Sequence, residues 1–197
     1  MTFELPAIPR FQNLKLKAAE TALVVVDMQN DFAHPQGALF VPGAPATVPV
    51  IAQLLERARA AGARVVYTQD GHSPDDPEFA IWPAHAVTES WGAEIIAELT
   101  PRPGETVIKK ARYDGFYGTP LEHLLHIWGL KTLVVCGTVA NICVLHTAGS
   151  AALRWYQIVL PEDAVSALTP FDLAASLRQV SFLYQGQVGM AADLSFS

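Results

Sequence analysis

The chain has 197 residues, of which 51% are hydrophobic and 16% charged. That length suits one domain, and that composition excludes intrinsic disorder as the main state. The 13 Lys+Arg against 19 Asp+Glu leave a net charge of −6. This argues against nucleic acid and anionic membrane surfaces as partners, since both need a basic face. Two cysteines, at 136 and 143, are too few for a disulfide scaffold. No apolar run reaches the ~20 residues of a membrane helix. The N-terminal MTFELPAIPRFQ lacks the charged-then-apolar order of a secretory signal. The expectation is a cytoplasmic protein with reduced thiols and one domain over 1–197. Residues 1–20, broken by Pro6 and Pro9, read as an N-terminal arm. The apolar composition and low charge point to a homo-oligomer.

The first strong element is the β-branched run Ala22 to Asp27. It does not alternate, which suits a central parallel strand covered on both faces. Val50, Ile51, Leu54, Leu55 and Ala58 recur at helical spacing within 48–61, and Gly62 supplies the C-cap. Residues 64–68 read as a second buried strand. Residues 69–92 are long, irregular and rich in Asp, Pro and His; such loops in compact domains are functional or disordered. Phe79, Trp82 and Trp91 favour order. Strands follow at 106–109, 132–137, 157–160 and 187–190, with helices at 121–128, 141–155 and 170–180. Strands alternating with helices predict a three-layer α/β/α sandwich with a mainly parallel, six-stranded sheet.

In open parallel sheets, ligands bind beyond the carboxyl ends of the strands. Asp27 stands at the end of the first strand, Asp70 and His72 follow the second, and Lys109 and Lys110 close the third. After the fourth comes Gly137-Thr-Val-Ala-Asn-Ile-Cys143, a turn opening a helix. A thiol at a helix start has its pKa lowered, a carboxylate can accept its proton, and free backbone N–H groups can hold an oxyanion. Read alone, Cys143 is equally a small buried apolar residue, and Asp27 a turn cap. Cys136, inside the run Leu133 to Gly137, is core filler. Asp70, His72, Glu78 and His85 form a second group of borderline-to-hard ligands suited to Zn, Fe or Mn; the same residues also suit a plain polar loop. His123 and His126 share one amphipathic helix as surface or interface residues. His146 lies one turn beyond Cys143, too deep in the helix for a base.

Three segments together resemble the isochorismatase-like cysteine hydrolases: Asp27-Met-Gln-Asn-Asp-Phe32, Lys110-Ala-Arg-Tyr-Asp-Gly-Phe-Tyr-Gly-Thr119 and Gly137 to Val144. Their order is more specific than any one of them. The resemblance implies a catalytic triad of Asp27, Lys110 and Cys143, with Lys110 preferred to Lys109 because it precedes Ala111-Arg112-Tyr113. Strand alternation also lets only one of the two lysines face the site. Within the family the pattern is nearest to the nicotinamidase branch, which carries a metal. That implies Asp70, His72, Glu78 and His85 as ligands of a divalent ion, whether Zn, Fe or Mn. Glu78 stands where many members carry His. The resemblance further implies a substrate clamp of Phe32, Trp82 and Tyr117, oxyanion donors at the N–H groups of Val139 and Cys143, and a cis peptide at Thr138–Val139. The implied reaction converts nicotinamide to nicotinate and ammonia through a cysteine thioester, with the small amide as the only partner. The alternative is another isochorismatase-family hydrolase acting on a different small amide or vinyl ether.

Overall fold

The computed structural model describes residues 6–197. In chain order it contains β1 (Arg10–Phe11), β2 (Leu14–Leu16), β3 (Thr21–Val26), α1 (Asn30–Ala33), α2 (Ala44–Ala61), β4 (Arg64–Asp70), β5 (Thr106–Lys110), α3 (Leu121–Ile127), β6 (Thr132–Thr138), α4 (Leu145–Leu153), β7 (Gln157–Pro161), β8 (Val165–Ser166), α5 (Pro170–Phe182), β9 (Gln187–Gly189) and β10 (Leu194–Phe196). The main sheet runs β1-β9-β7-β6-β3-β4-β5, with β8 added to β6, and every pairing is parallel. The six strands expected from the sequence form its continuous run from β9 to the β5 edge. The two extra strands, β1 and β8, have two residues each and leave no periodic signal. β2 and β10 form a separate parallel pair. The expected N-terminal arm is thus tied down from residue 10 onward; its first five residues lie outside the described ones.

β3 is buried along its whole length, which explains its unbroken apolar run. Successive side chains point to opposite faces. Leu23 and Val25 pack with Ile51, Leu54, Leu55 and Ala58 of α2. Ala22, Val24 and Val26 pack with residues of α3, α4 and α5, among them Leu121, Ala148 and Leu177. Each Leu or Ile so buried contributes about 1.5–3 kcal/mol. The result is the expected α/β/α sandwich, with α2 on one face and the other long helices on the opposite one.

Several boundaries differ from the expectation. α2 begins at Ala44, not Val48, because Pro45 fits a helix's first turn, where its missing N–H has no partner to lose. β4 and β5 extend to Asp70 and Lys110, which are register partners; their opposite charges let the ladder run on past the expected ends. Residues Ala140–Val144 form a single π-helical turn, and only then does α4 begin. Gly137 is required where β6 meets β3: its φ is +113°, and a Cβ there would lie 2.1 Å from the Val26 carbonyl oxygen.

Candidate active site

Four strand ends bring the polar residues together. Asp27 follows β3 with φ +48°, a strained conformation for a residue other than glycine. Its Oδ1 accepts a hydrogen bond from Thr68 Oγ1 at 2.6 Å. Its Oδ2 lies 2.7 Å from Lys110 Nζ. The same ammonium is 3.1 Å from Asp70 Oδ1 and 3.7 Å from Cys143 Sγ. Lys110 is buried while Lys109 is exposed, as strand alternation requires. One buried cation therefore sits among two carboxylates and a thiol.

The electrostatics follow from this burial. Loss of water alone would lower the Lys110 pKa, but Asp27, Cys143 and Asp70 outweigh it and hold the ammonium well above its ordinary range. Burial raises Asp27 despite the Lys110 charge. It would raise Asp70 too, but the His72 hydrogen bond and Lys110 hold that carboxyl below its ordinary value. Burial also pushes the Cys143 thiol well above its ordinary value; Lys110 opposes this, and Asp27 adds to it. Desolvation thus opposes the acidification expected from a helix start.

Asp70 also faces the second group. His72 Nε2 is 3.2 Å and His85 Nε2 3.9 Å from Asp70 Oδ2. Ligand atoms of these three buried residues all lie within 4.8 Å of one another. His85 Nδ1 donates to the Pro83 carbonyl at 2.7 Å, and His72 Nδ1 lies 3.1 Å from Asp76 Oδ2. Each imidazole thus has its outer nitrogen held by an oxygen and its Nε2 turned inward. Histidines that ligate metals are held in this manner, and two imidazoles with a carboxylate suit a divalent ion. Without such an ion, the Asp70 hydrogen bond above all, with Asp76 adding to it, pushes the His72 imidazolium up to about 9 against the opposing effect of burial.

Glu78 does not join that trio. It groups with His72 and Asp76, lies 3.7 Å from Arg112 Nη1, and turns into the cavity, where its buried Oε1 has no hydrogen-bond partner. Burial raises its pKa.

A cavity of about 240 Å³ opens above both groups, walled by Phe32, Trp82, Tyr113, Val139, Cys143 and the stretch Ala38–Val41 among others. Tyr117, expected in the aromatic clamp, is not in its wall and is 69% exposed. Its N–H donates to the Asp114 carbonyl at 3.1 Å, a tight turn that throws the side chain outward. Tyr113 occupies the wall instead, and its hydroxyl accepts the Trp82 indole N–H at 3.0 Å. The demand of a half-buried indole for an acceptor was the signal available in the sequence. The Thr138–Val139 peptide is cis. The Val139 carbonyl accepts N–H groups from Ile142 and Val144, at 3.0 and 3.2 Å, in place of the Cys143 bond an α-helix would make. Thr68, Asp76 and Arg112 were not singled out from the sequence.

Fold and site together define a hydrolase with a buried cysteine at the carboxyl edge of a parallel sheet. The chain belongs to the isochorismatase family: the Isochorismatase domain matches residues 21–193. It is 33% identical over 216 aligned residues to the ureidoacrylate amidohydrolase RutB of Azorhizobium caulinodans, covering 96% of this chain and 94% of that protein. Among solved structures it resembles the N-carbamoylsarcosine amidase from Thermoplasma acidophilum, with 41% identity and TM-score 0.81 over 87% of this chain and 96% of that one. It also resembles the pyrazinamidase of Pyrococcus horikoshii in complex with zinc, with 31% identity and TM-score 0.82 over 87% and 99%. The nicotinamidase branch expected from the motifs is therefore met among structural neighbours, while the sequence relative bears another substrate's name. No helix among the described residues is long and apolar enough to cross a membrane.

Proposed function

We propose that the protein is a cysteine amidohydrolase that releases ammonia from the terminal –C(=O)NH2 of a small molecule. The observation that carries this is the buried Lys110 ammonium, 2.7 Å from Asp27 and 3.7 Å from Cys143, with Cys143 in the cavity wall. Asp27 takes the thiol proton as Cys143 Sγ bonds to the carbonyl carbon. The oxyanion is met by the N–H groups of Val139 and Cys143. The intermediate collapses to a thioester, and ammonia leaves with the proton from Asp27. Water, deprotonated by Asp27, then hydrolyses the thioester and returns the thiol. Lys110 keeps its proton throughout and offsets the charge on Asp27. Asp70, His72 and His85 would hold a divalent ion, Zn, Fe or Mn, which would supply a Lewis-acidic charge in the cavity wall.

The favoured substrates are N-carbamoyl compounds, because the relative and the neighbour of highest identity above are named for a ureido and a carbamoyl substrate. Their hydrolysis gives a carbamic acid, which loses carbon dioxide to an amine. The second reading is nicotinamide. It is favoured by the aromatic walls Phe32, Trp82 and Tyr113, on which a pyridine ring can stack, and by the metal-type trio beside them.

The test is ammonia release over N-carbamoylsarcosine, ureidoacrylate, nicotinamide and pyrazinamide, with carbon dioxide read in parallel, with and without chelator. Ammonia accompanied by carbon dioxide supports the carbamoyl reading. Ammonia alone, from the ring amides and lost with chelator, moves the assignment to nicotinamide. No ammonia above background from any of the four sinks the amidohydrolase assignment.

A further inference from the structure

Two buried polar side chains on the turn after Asp27 have no part in that chemistry. The Gln29 side chain behaves as an extra strand neighbour of Asp70. Its Nε2 donates to the Asp70 carbonyl at 2.8 Å and to the Ala93 carbonyl at 2.9 Å, and its Oε1 accepts the Asp70 N–H at 2.7 Å. Asp31 has no cationic partner within ion-pair distance among the described residues. A buried carboxylate left this way needs strong hydrogen bonds, and it takes them from two separate loops. Oδ1 accepts the Ala38 N–H at 2.9 Å, and Oδ2 accepts the Ala86 N–H at 2.7 Å.

Both targets matter to the cavity. Ala38 opens the Ala38–Val41 stretch of its wall. Ala86 directly follows His85 and has φ +45°, a region alanine disfavours. The fit around Asp31 is close, since a Cβ on Gly92 would lie 2.1 Å from its Oδ2.

We propose that Gln29 and Asp31 are positioning residues: they set the placement of Asp70 and His85 and hold the Ala38–Val41 wall against them. The turn that carries Asp27 would thereby align the metal-type trio with the nucleophile. The first readout below rests on the reading of that trio as a cation site; the second does not.

The variant Asp31→Asn keeps the shape, but turns an NH2 group toward one of the two N–H donors. Circular dichroism first establishes that it folds. Metal-stripped protein is then titrated with Zn2+ by calorimetry, and alkylation of Cys143 by iodoacetamide is followed by peptide mass spectrometry. The expected Zn2+ Kd rises about tenfold or more, as when the groups holding a ligand are removed. The expected alkylation rate rises about tenfold, because the released loops uncover the thiol. Adding Ala86→Gly should recover Zn2+ affinity, since glycine adopts positive φ without the clamp; a role in general stability alone would show no such recovery. Gln29→Glu, which keeps the acceptor and loses the donors, is the second variant if Asp31→Asn does not fold. Wild-type protein that binds no Zn2+ ends the cation reading and leaves alkylation to decide on Asp31. Alkylation and Zn2+ affinity within about twofold of wild type in the folded variant, the range of an inert substitution, overturns the proposal.

Discussion

β6 holds one thiol in the middle of the sheet, and the turn beyond its carboxyl end holds another. Both are buried, and burial raises both thiol pKa values. Their surroundings separate them. Cys136 meets only the Val24 carbonyl, at 3.6 Å, among polar atoms within hydrogen-bond reach. Cys143 has Lys110 at 3.7 Å, the Asp27 carboxyl 2.7 Å from that same ammonium, and a cavity open above it. Neither burial nor the direction of the pKa shift marks a nucleophile here. A proton acceptor, a fixed counter-charge and access do.

That contrast can be broken most directly by replacing each cysteine. Cys143→Ala should lower kcat for ammonia release roughly 10⁴–10⁶-fold, the range for losing a nucleophile, with an unchanged circular dichroism spectrum. Cys136→Ala should keep kcat and lower stability by about 1–2 kcal/mol, read from urea midpoints, because it empties a small core volume. Wild-type turnover in Cys143→Ala, or lost turnover in a folded Cys136→Ala, would reverse the assignment of the two sites.

Lys110→Met tests the counter-charge. It leaves Asp27 buried without its cation and Asp70 with His72 alone, which should cost about 3–5 kcal/mol at neutral pH. The pH dependence has a definite sign. Without Lys110 the folded-state pKa of Asp27 rises further above its unfolded value, and that of Asp70, still held down by His72, rises toward its own. Stability should therefore be regained as the pH falls and lost as it rises. Urea midpoints that do not depend on pH between acid and neutral solution would mean that Lys110 does not hold these charges.

The smallest effect concerns thiol reactivity. Since burial raises both thiols, each should alkylate more slowly at neutral pH than a free cysteine, whose pKa is about 8.5. Cys143 should react before Cys136, because Lys110 favours its thiolate and the cavity admits the reagent. The difference should vanish in urea. Equal native rates at the two sites would erase the comparison.

The expected strands were easiest to read where the chain is most uniformly buried. β3 and β6 sit between two helical layers, so their β-branched runs are continuous and bounded. β1, β2, β8 and β10 have two or three residues each, too short for any period to show. The ends of β4 and β5 were hidden for another reason. Asp70 reads as a loop residue and Lys110 as the last residue of a strand until they are register partners. In the site, the residue types and their order along the chain pointed to Asp27, Lys110 and Cys143 as a group, with Asp70, His72 and His85 beside it. Glu78 and Tyr117 followed the same motifs: Glu78 reaches the cavity beside His72 and Asp76 rather than in the Asp70–His72–His85 trio, and Tyr117 lies in solvent.

The apolar pattern alone was enough to imply a layered parallel sheet, and three short motifs were enough to imply a family, because both are local in the chain. Folding settled which tyrosine walls the cavity, which carboxylates share Lys110 and how deeply Cys143 is buried. These depend on contacts between groups 31 to 83 residues apart and on removal of water from all of them at once, and no stretch of linear sequence contains either.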